Sequence, residues 1–164
     1  MTPKIKPGYQ ITFPSDTEMV MTRVFNAPRA LVFKAHIDPE LIPQWWGSHA
    51  YTTRVEKLNP QPGGEWRFVS RGEDGSEIAF FGEFREIVAP ERFTWTFGFD
   101  GLGLTGEPGV ETYVFEEHDG KTTLTATSYY GSKDERDGLI DSGMEEGANE
   151  SAERLDDLLA RLQS

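Results

Sequence analysis

Between Tyr51 and Tyr130 the chain passes through six short stretches of alternating residues, each closed by a turn signal, and this feature most narrows the folds open to it. The stretches are Tyr51–Leu58, Glu65–Arg71, Glu77–Val88, Arg92–Phe99, Gly109–Glu117 and Lys121–Tyr130. Proline, glycine and Asp-Gly clusters separate them, and Asp119-Gly120 marks a tight hairpin. The glycine-bearing segment from Asp100 to Pro108 reads as a mobile loop. Consecutive strands with short turns are antiparallel neighbours, and such a sheet keeps one wet and one dry face. The pattern agrees. Trp66 and Phe68 alternate with Glu65 and Arg67; Phe80, Gly82 and Phe84 with Glu83 and Arg85; Phe93, Trp95, Phe97 and Phe99 with Thr94 and Thr96. Leu124, Ala126, Ser128 and Tyr130 alternate with Thr123, Thr125 and Thr127.

A further strand, Glu18 to Asn26, precedes these six, giving a seven-stranded sheet. Pro28 favours a first helical turn, and Arg29 to His36 follows as a short helix. Asp38-Pro39 starts a second short helix, which Pro43 limits before Trp45-Trp46-Gly47. Residues 1–17, with three prolines, read as an irregular lead-in to a single domain spanning 18–164. The chain closes on Ser132 to Ser164, which reads as one long amphipathic helix. Ser132 and Glu135 form a capping-box start, and an apolar stripe runs through Leu139, Met144, Ala148, Leu155, Leu158, Leu159 and Leu162. The fold class is therefore α+β, a curved antiparallel sheet wrapped around a long C-terminal helix.

The stripe is thin in its middle, where Gly143, Gly147, Ala148, Ser151 and Ala152 offer almost no bulk. A glycine inside a helix costs roughly 1 kcal/mol against alanine. Either the helix packs very close to another backbone, or it forms one wall of an internal hollow. The facing sheet is dense in aromatic rings.

Composition removes several functions. A net charge of −12 disfavours nucleic acid and anionic membrane as partners. No apolar run is long enough to cross a bilayer, and Met1 to Pro14 lacks a signal pattern. With no cysteine, disulfide and thiolate chemistry are excluded, which fits a cytoplasmic protein. His36, His49 and His118 are scattered and read as surface or capping residues, so no metal is expected. Gly101-Leu102-Gly103-Leu104-Thr105-Gly106 precedes a strand rather than a helix and is discounted as a phosphate loop; no cofactor motif remains.

Five segments carry a family resemblance: Asn26 to Phe33, Pro39 to Gly47, Pro62 to Phe68, Glu91 to Phe97 and Gly143 to Leu155. In this order they resemble the SRPBCC superfamily, in the branch similar to the C-terminal domain of the activator of heat-shock protein 90 ATPase. The resemblance implies the helix-grip (START-like) fold, shared by lipid and polyketide binders, aromatase/cyclases and chaperone activators, and it implies an internal cavity. Where relatives usually carry tryptophan and leucine on the last helix, this chain has Ala148 and Ala152. That trims the inner stripe, leaving an enlarged cavity unless sheet aromatics or the Asp100–Pro108 loop move in. Gln61 replaces an arginine frequent in relatives, which weakens any anion-binding role of that turn.

The leading expectation is non-covalent binding of a small, mostly apolar ring-bearing or acyl molecule. The lining would be drawn from Trp46, Trp66, Phe68, Phe80, Phe84, Trp95, Phe97, Tyr113, Phe115, Tyr130, Met144 and Ala148. A chaperone-activator-like interaction module is the alternative, disfavoured because the activator's extra N-terminal domain is not in this sequence. A cyclase- or hydrolase-type enzyme is the third reading, with Glu111 and Tyr113 as its weak catalytic candidates. If Phe115 points inward, strand parity carries Tyr113 and Glu111 inward too; if Val110, Thr112 and Val114 face in, Glu111 is solvated, which its place beside the glycine-rich segment favours. Arg23 is either a wet-face residue or a buried partner for such an acid. Trp45 and Trp46 divide between core anchor and cavity lip. A homodimer is compatible with the sequence, which carries no interface signature.

Overall fold

The computed structural model describes residues 8–101, 104–141 and 143–164, with the backbone alone for 104–108. One antiparallel sheet is formed by β1 (Gln10–Thr12), β2 (Glu18–Phe25), β3 (Tyr51–Leu58), β4 (Glu65–Gly72), β5 (Glu77–Val88), β6 (Arg92–Gly101), β7 (Leu104–His118) and β8 (Lys121–Tyr129). The strand order is β1-β2-β8-β7-β6-β5-β4-β3. The sheet thus has eight strands where seven are read from the sequence. The extra one lies inside the supposed irregular lead-in, where Gln10 pairs with Thr22 and Thr12 with Val20. Three residues beside Pro14 hold too little alternation to declare a strand; the exposed edge of β2 supplies the partner that makes one. Residues 1–7 of the lead-in lie outside the described residues.

The glycine-bearing segment after Asp100 also differs from expectation. It is the tip of a β6–β7 hairpin, with Asp100 paired to Thr105 and Gly101 to Leu104. Backbone pairing satisfies N–H and C=O groups whatever the side chains, which is why the alternation pattern does not announce it. Leu102 and Gly103 lie outside the described residues.

After β2 comes α1 (Arg29–Ile37), then only a single 3-10 turn at Ile42–Gln44. The second helix does not form. Asp38 closes α1 and turns its carboxylate to the Glu40 N–H at 2.8 Å, and Pro43 then prevents a regular hydrogen-bonded run. At the C-terminus the expected single helix is two, α2 (Lys133–Asp141) and α3 (Met144–Gln163). Gly143 separates them with φ 86, a left-handed conformation that no continuing α-helix accepts and glycine adopts at little cost. The start of α2 follows the capping logic, shifted by one residue: Ser132 Oγ accepts the Glu135 N–H at 3.1 Å and Glu135 Oε2 accepts the Gly131 N–H at 3.0 Å.

Register shifts fall at Val55/Lys57, Phe84/Glu86 and Phe97/Phe99, and shifts of this kind bend a strand and raise its twist. Next to one of them, β5 lies so close to its neighbour that a Cβ on Gly82 would stand 1.8 Å from the Thr96 carbonyl oxygen. That same oxygen accepts Trp66 Nε1–H at 3.1 Å, and Thr96 Oγ1 accepts the Glu83 N–H at 2.9 Å. The concave face meets two environments along its length. At one end Phe25, Phe68, Phe84, Phe93, Trp95, Phe115 and Leu124 pack on Val32 and Phe33 of α1 and on Ala152, Leu155, Leu158 and Leu159 of α3. At the other end the sheet and α3 do not meet. The convex face carries solvated pairs such as Arg54–Glu77 and Lys57–Glu65.

Candidate functional site

Where sheet and helix part, a cavity of about 390 Å³ remains, partly open to solvent. Each inner strand passes from core into cavity along its own length. On β6, Phe93 and Trp95 are core while Phe97 and Phe99 line the hollow; on β7, Phe115 is core while Tyr113 and Glu111 line it. On β8 the change falls between Leu124 and the pair Ala126/Ser128, and on β2 between Phe25 and the pair Met21/Met19. The opposite wall is the first half of α3, with Met144, Gly147, Ala148 and Ser151. A Cβ added to Gly147 would meet no atom within 4 Å. Gly147 therefore borders a hollow; it does not serve a close helix–backbone approach. Of the two alanines that thin the stripe, Ala148 faces the hollow, whereas Ala152, 1% exposed, is packed into the core.

Of the sequence-derived lining residues, Trp46, Phe80, Phe97, Tyr113, Met144 and Ala148 come together at this cavity. Trp66, Phe68, Phe84, Trp95 and Phe115 do not line it; they form the aromatic floor of the core, with Trp66 and Trp95 stacked at 4.1 Å between centroids. Tyr130 lies just past the end of β8 and outside the lining; burial, then the nearby Glu111 charge, push its phenol up to about 12. Trp45 anchors to α1, its Nε1–H donating to the Ala35 carbonyl at 2.9 Å, while Trp46 packs its edge on Phe68 and Phe80 beside the cavity.

Glu111 points inward, contrary to the solvated placement its position favours in the sequence. Pairing sets it opposite Trp95 on one side and Ser128 on the other, so all three share the concave face. Its Oε1 accepts Trp95 Nε1–H at 2.9 Å and the Tyr113 hydroxyl at 2.9 Å, and its Oε2 accepts the Ser128 hydroxyl at 3.0 Å. What area it exposes faces the cavity. Burial pushes its carboxyl above the ordinary range, and the three donors pull it partly back. Burial, with Glu111 beside it, pushes the Tyr113 phenol well up.

The sequence-derived lining omits several residues that border the cavity, among them Met19, Met21, Phe99 and Ser128, and two further omissions bear on its chemistry. His36, read from the sequence as a surface or capping residue, is 5% exposed; it lies one turn after Val32 on the inner face of α1 and packs on Trp45 and Phe115. Its Nδ1–H donates to the Val32 carbonyl at 2.8 Å, and burial pushes the imidazole down to about 4, so it is neutral. The i, i+4 spacing from Val32 is the signal that could have found it. Tyr9, on the supposed lead-in, closes another side of the cavity and is tied to α3 by its N–H to Asn149 Oδ1 at 3.0 Å. Arg23 is not the partner of Glu111. It is 3% exposed and bridges to α3, donating to Asp156 from Nη1 at 2.9 Å and Nη2 at 2.7 Å. Among the described residues no group of three or more His, Asp or Glu is placed to hold a metal ion. No described helix is long and apolar enough to cross a membrane.

A curved antiparallel sheet gripping a C-terminal helix, with a cavity between them, defines the helix-grip class of the SRPBCC superfamily. Within it, the chain belongs to the family described as Activator of Hsp90 ATPase homolog 1-like protein, whose pattern matches residues 26–160. Similar solved structures include protein Ms6760 from Mycobacterium smegmatis, 26% identical with a TM-score of 0.82, covering 92% of this chain and 95% of that one. A protein from Rhodobacter sphaeroides is 25% identical with a TM-score of 0.86, covering 94% and 99%. The AHSA1 protein of Silicibacter pomeroyi, 20% identical with a TM-score of 0.71 over 90% and 99%, shares the fold. Among curated proteins the chain has no match.

Proposed function

We propose that this protein binds a small, mostly apolar molecule, ring-bearing or acyl, in the cavity between sheet and α3, without covalent chemistry. One observation carries the reading. The hollow of about 390 Å³ lies where α3 is cut back to Gly147 and Ala148 opposite Trp46, Phe80, Phe97 and Tyr113. Its size falls in the range of small-molecule sites, and its lining is mainly aromatic and apolar with few polar groups, as such sites require. Native mass spectrometry of protein from its own host, paired with thermal shifts across aromatic and acyl compounds, tests it. Retained mass or raised melting temperature is expected. Empty protein and a flat panel would overturn the reading.

A second reading, an enzyme of cyclase or hydrolase type, draws on the contact between Tyr113 and Glu111. A carboxyl raised by burial and hydrogen-bonded to a phenol is a proton-transfer pair in form. Turnover of a bound compound that disappears in Glu111→Gln would favour it over binding alone.

A further inference from the structure

The geometry points to a ligand that carries an amine, held as an ammonium by Glu111 and the rings around it, and to exclusion of carboxylates from the same cavity. This inference rests on the binding reading above and specifies its ligand class.

Four observations converge. First, Glu111 is the one carboxylate among the described lining residues, and none of those residues is lysine or arginine. Arg23, on the same concave face, is already committed to Asp156 through both terminal nitrogens. A ligand carboxylate would thus meet like charge with no cation to receive it. Second, a carboxylate offers about four acceptor positions. Trp95 and Tyr113 fill the two on Oε1, and Ser128 fills one on Oε2. One position on Oε2 is left for a donor from the ligand. Third, the other buried ionisable base of the lining adds an acceptor rather than a cation: His36 spends its Nδ1–H on Val32, which leaves Nε2 as a lone pair. Fourth, the walls are faces and edges of Trp46, Phe80, Phe97 and Tyr113. Aromatic faces attract ammonium groups, the more so when water is excluded, and do nothing comparable for an anion. The net charge of −12 adds long-range attraction for a cationic ligand.

The test uses three probes with one ring system: tryptamine, tryptophol and indole-3-acetate, titrated calorimetrically into the full chain at mildly alkaline pH. Tryptamine is expected to bind about tenfold or more tighter than tryptophol, the low end of what a close charge pair contributes. Indole-3-acetate is expected to bind weaker than tryptophol. Glu111→Gln is expected to remove most of the tenfold gap between tryptamine and tryptophol. The wild-type ranking stands as a test even if that variant folds poorly. Tryptophol or indole-3-acetate binding as tightly as tryptamine would overturn the amine inference and leave apolar binding intact. An amine preference that survives Glu111→Gln would overturn the role given to Glu111. Failure of all three probes to bind would count against the inference and the binding reading together.

Discussion

Trp95 Nε1 donates to Glu111 Oε1 at 2.9 Å from directly across the β6–β7 pair, joining the floor of the core to the one carboxylate among the described residues of the cavity. Trp95 is 1% exposed, so its N–H has no water to turn to. Glu111→Leu should therefore cost about 1–3 kcal/mol, the penalty for a buried donor left without an acceptor. Tyr113 and Ser128 lose a partner too, but their hydroxyls rotate and the indole N–H does not. Glu111→Gln keeps an oxygen for Trp95 and should fall within about 1 kcal/mol of wild type at neutral pH. Urea unfolding of the two variants gives the comparison; equal stability of Leu and Gln variants would refute the coupling.

The same carboxyl sets a pH dependence. Its folded-state pKa is raised, chiefly by burial, so the native state holds its proton longer than the unfolded chain does. Native stability contributed by this group is full below the ordinary carboxylate range and is lost as pH rises through the folded pKa. The shifted groups that face it do not interfere. Tyr9 and Tyr130 are pushed up to about 12, Tyr113 is pushed well above its ordinary value, and His36 is neutral. Wild type should thus lose stability, relative to Glu111→Gln, as pH rises from the ordinary carboxylate range through the raised folded-state pKa, as read from urea midpoints. A constant difference between the two across that interval would remove Glu111 as the titrating group.

His36 acts in the opposite direction. Burial lowers its pKa from 6.5 to about 4, and the hydrogen bond to Val32 only partly resists this. Its contribution is present above 6.5 and is lost as pH falls toward the folded value. A shift of this size corresponds to about 3 kcal/mol. The neighbours packed on the ring are Trp45, Phe93, Tyr113 and Phe115, with no carboxylate to hold a charged imidazole. His36→Phe, which keeps the ring packing, should flatten the acid limb of the stability profile by that amount. Acid unfolding curves that superimpose for wild type and variant would contradict it.

These groups mark where the sequence is legible and where it stops. The alternation of Phe93, Trp95, Phe97 and Phe99 is sufficient to place the dry face, because strand parity is local. It does not reveal that Trp95 is core and Phe97 is cavity wall, since that boundary depends on which helix residues arrive opposite, a long-range relation. The parity of Glu111 has two solutions until Phe115 is known to face α1. Gly138, Gly143 and Gly147 announce a weak helix, but only the left-handed backbone at Gly143 says where it breaks. The strand at Gln10–Thr12 exists by virtue of its partner, so no reading of those three residues in isolation finds it.

Arg23 and Asp156 bind β2 to α3 across the inner face. Arg23 is sealed in, its charge also lies 4.7 Å from the Phe25 ring, and its Nε has no hydrogen-bond partner among the described residues. Asp156→Ala should cost about 2–4 kcal/mol, below the upper range for breaking a buried pair because Asp156 itself keeps 37% side-chain exposure. Replacing both together, Arg23→Met with Asp156→Leu, should restore most of that loss, since no buried charge then remains. Thermal unfolding of the single and double variants measures the recovery. A double variant no better than Asp156→Ala would show that the pair has a role apart from charge compensation.

The hollow itself can be tested by filling it from α3. Gly147 sits inside the helix, and a Cβ there would meet no atom within 4 Å. Gly147→Ala therefore gains helix propensity with no steric loss, about 0.5–1 kcal/mol. For a domain of this length that is roughly 1–4 °C in melting temperature. Ala148→Trp goes further, placing an indole into the volume bordered by Trp46, Phe80 and Phe97. Its folding should be unimpaired, because the ring occupies existing space and displaces no packed side chain. Binding of a neutral reporter such as N-phenyl-1-naphthylamine, followed by fluorescence, should be lost in Ala148→Trp and kept in Gly147→Ala. A strongly destabilised Ala148→Trp would mean that the sheet and helix already mesh there. Undiminished dye binding in a stable Ala148→Trp would place the dye elsewhere on the protein.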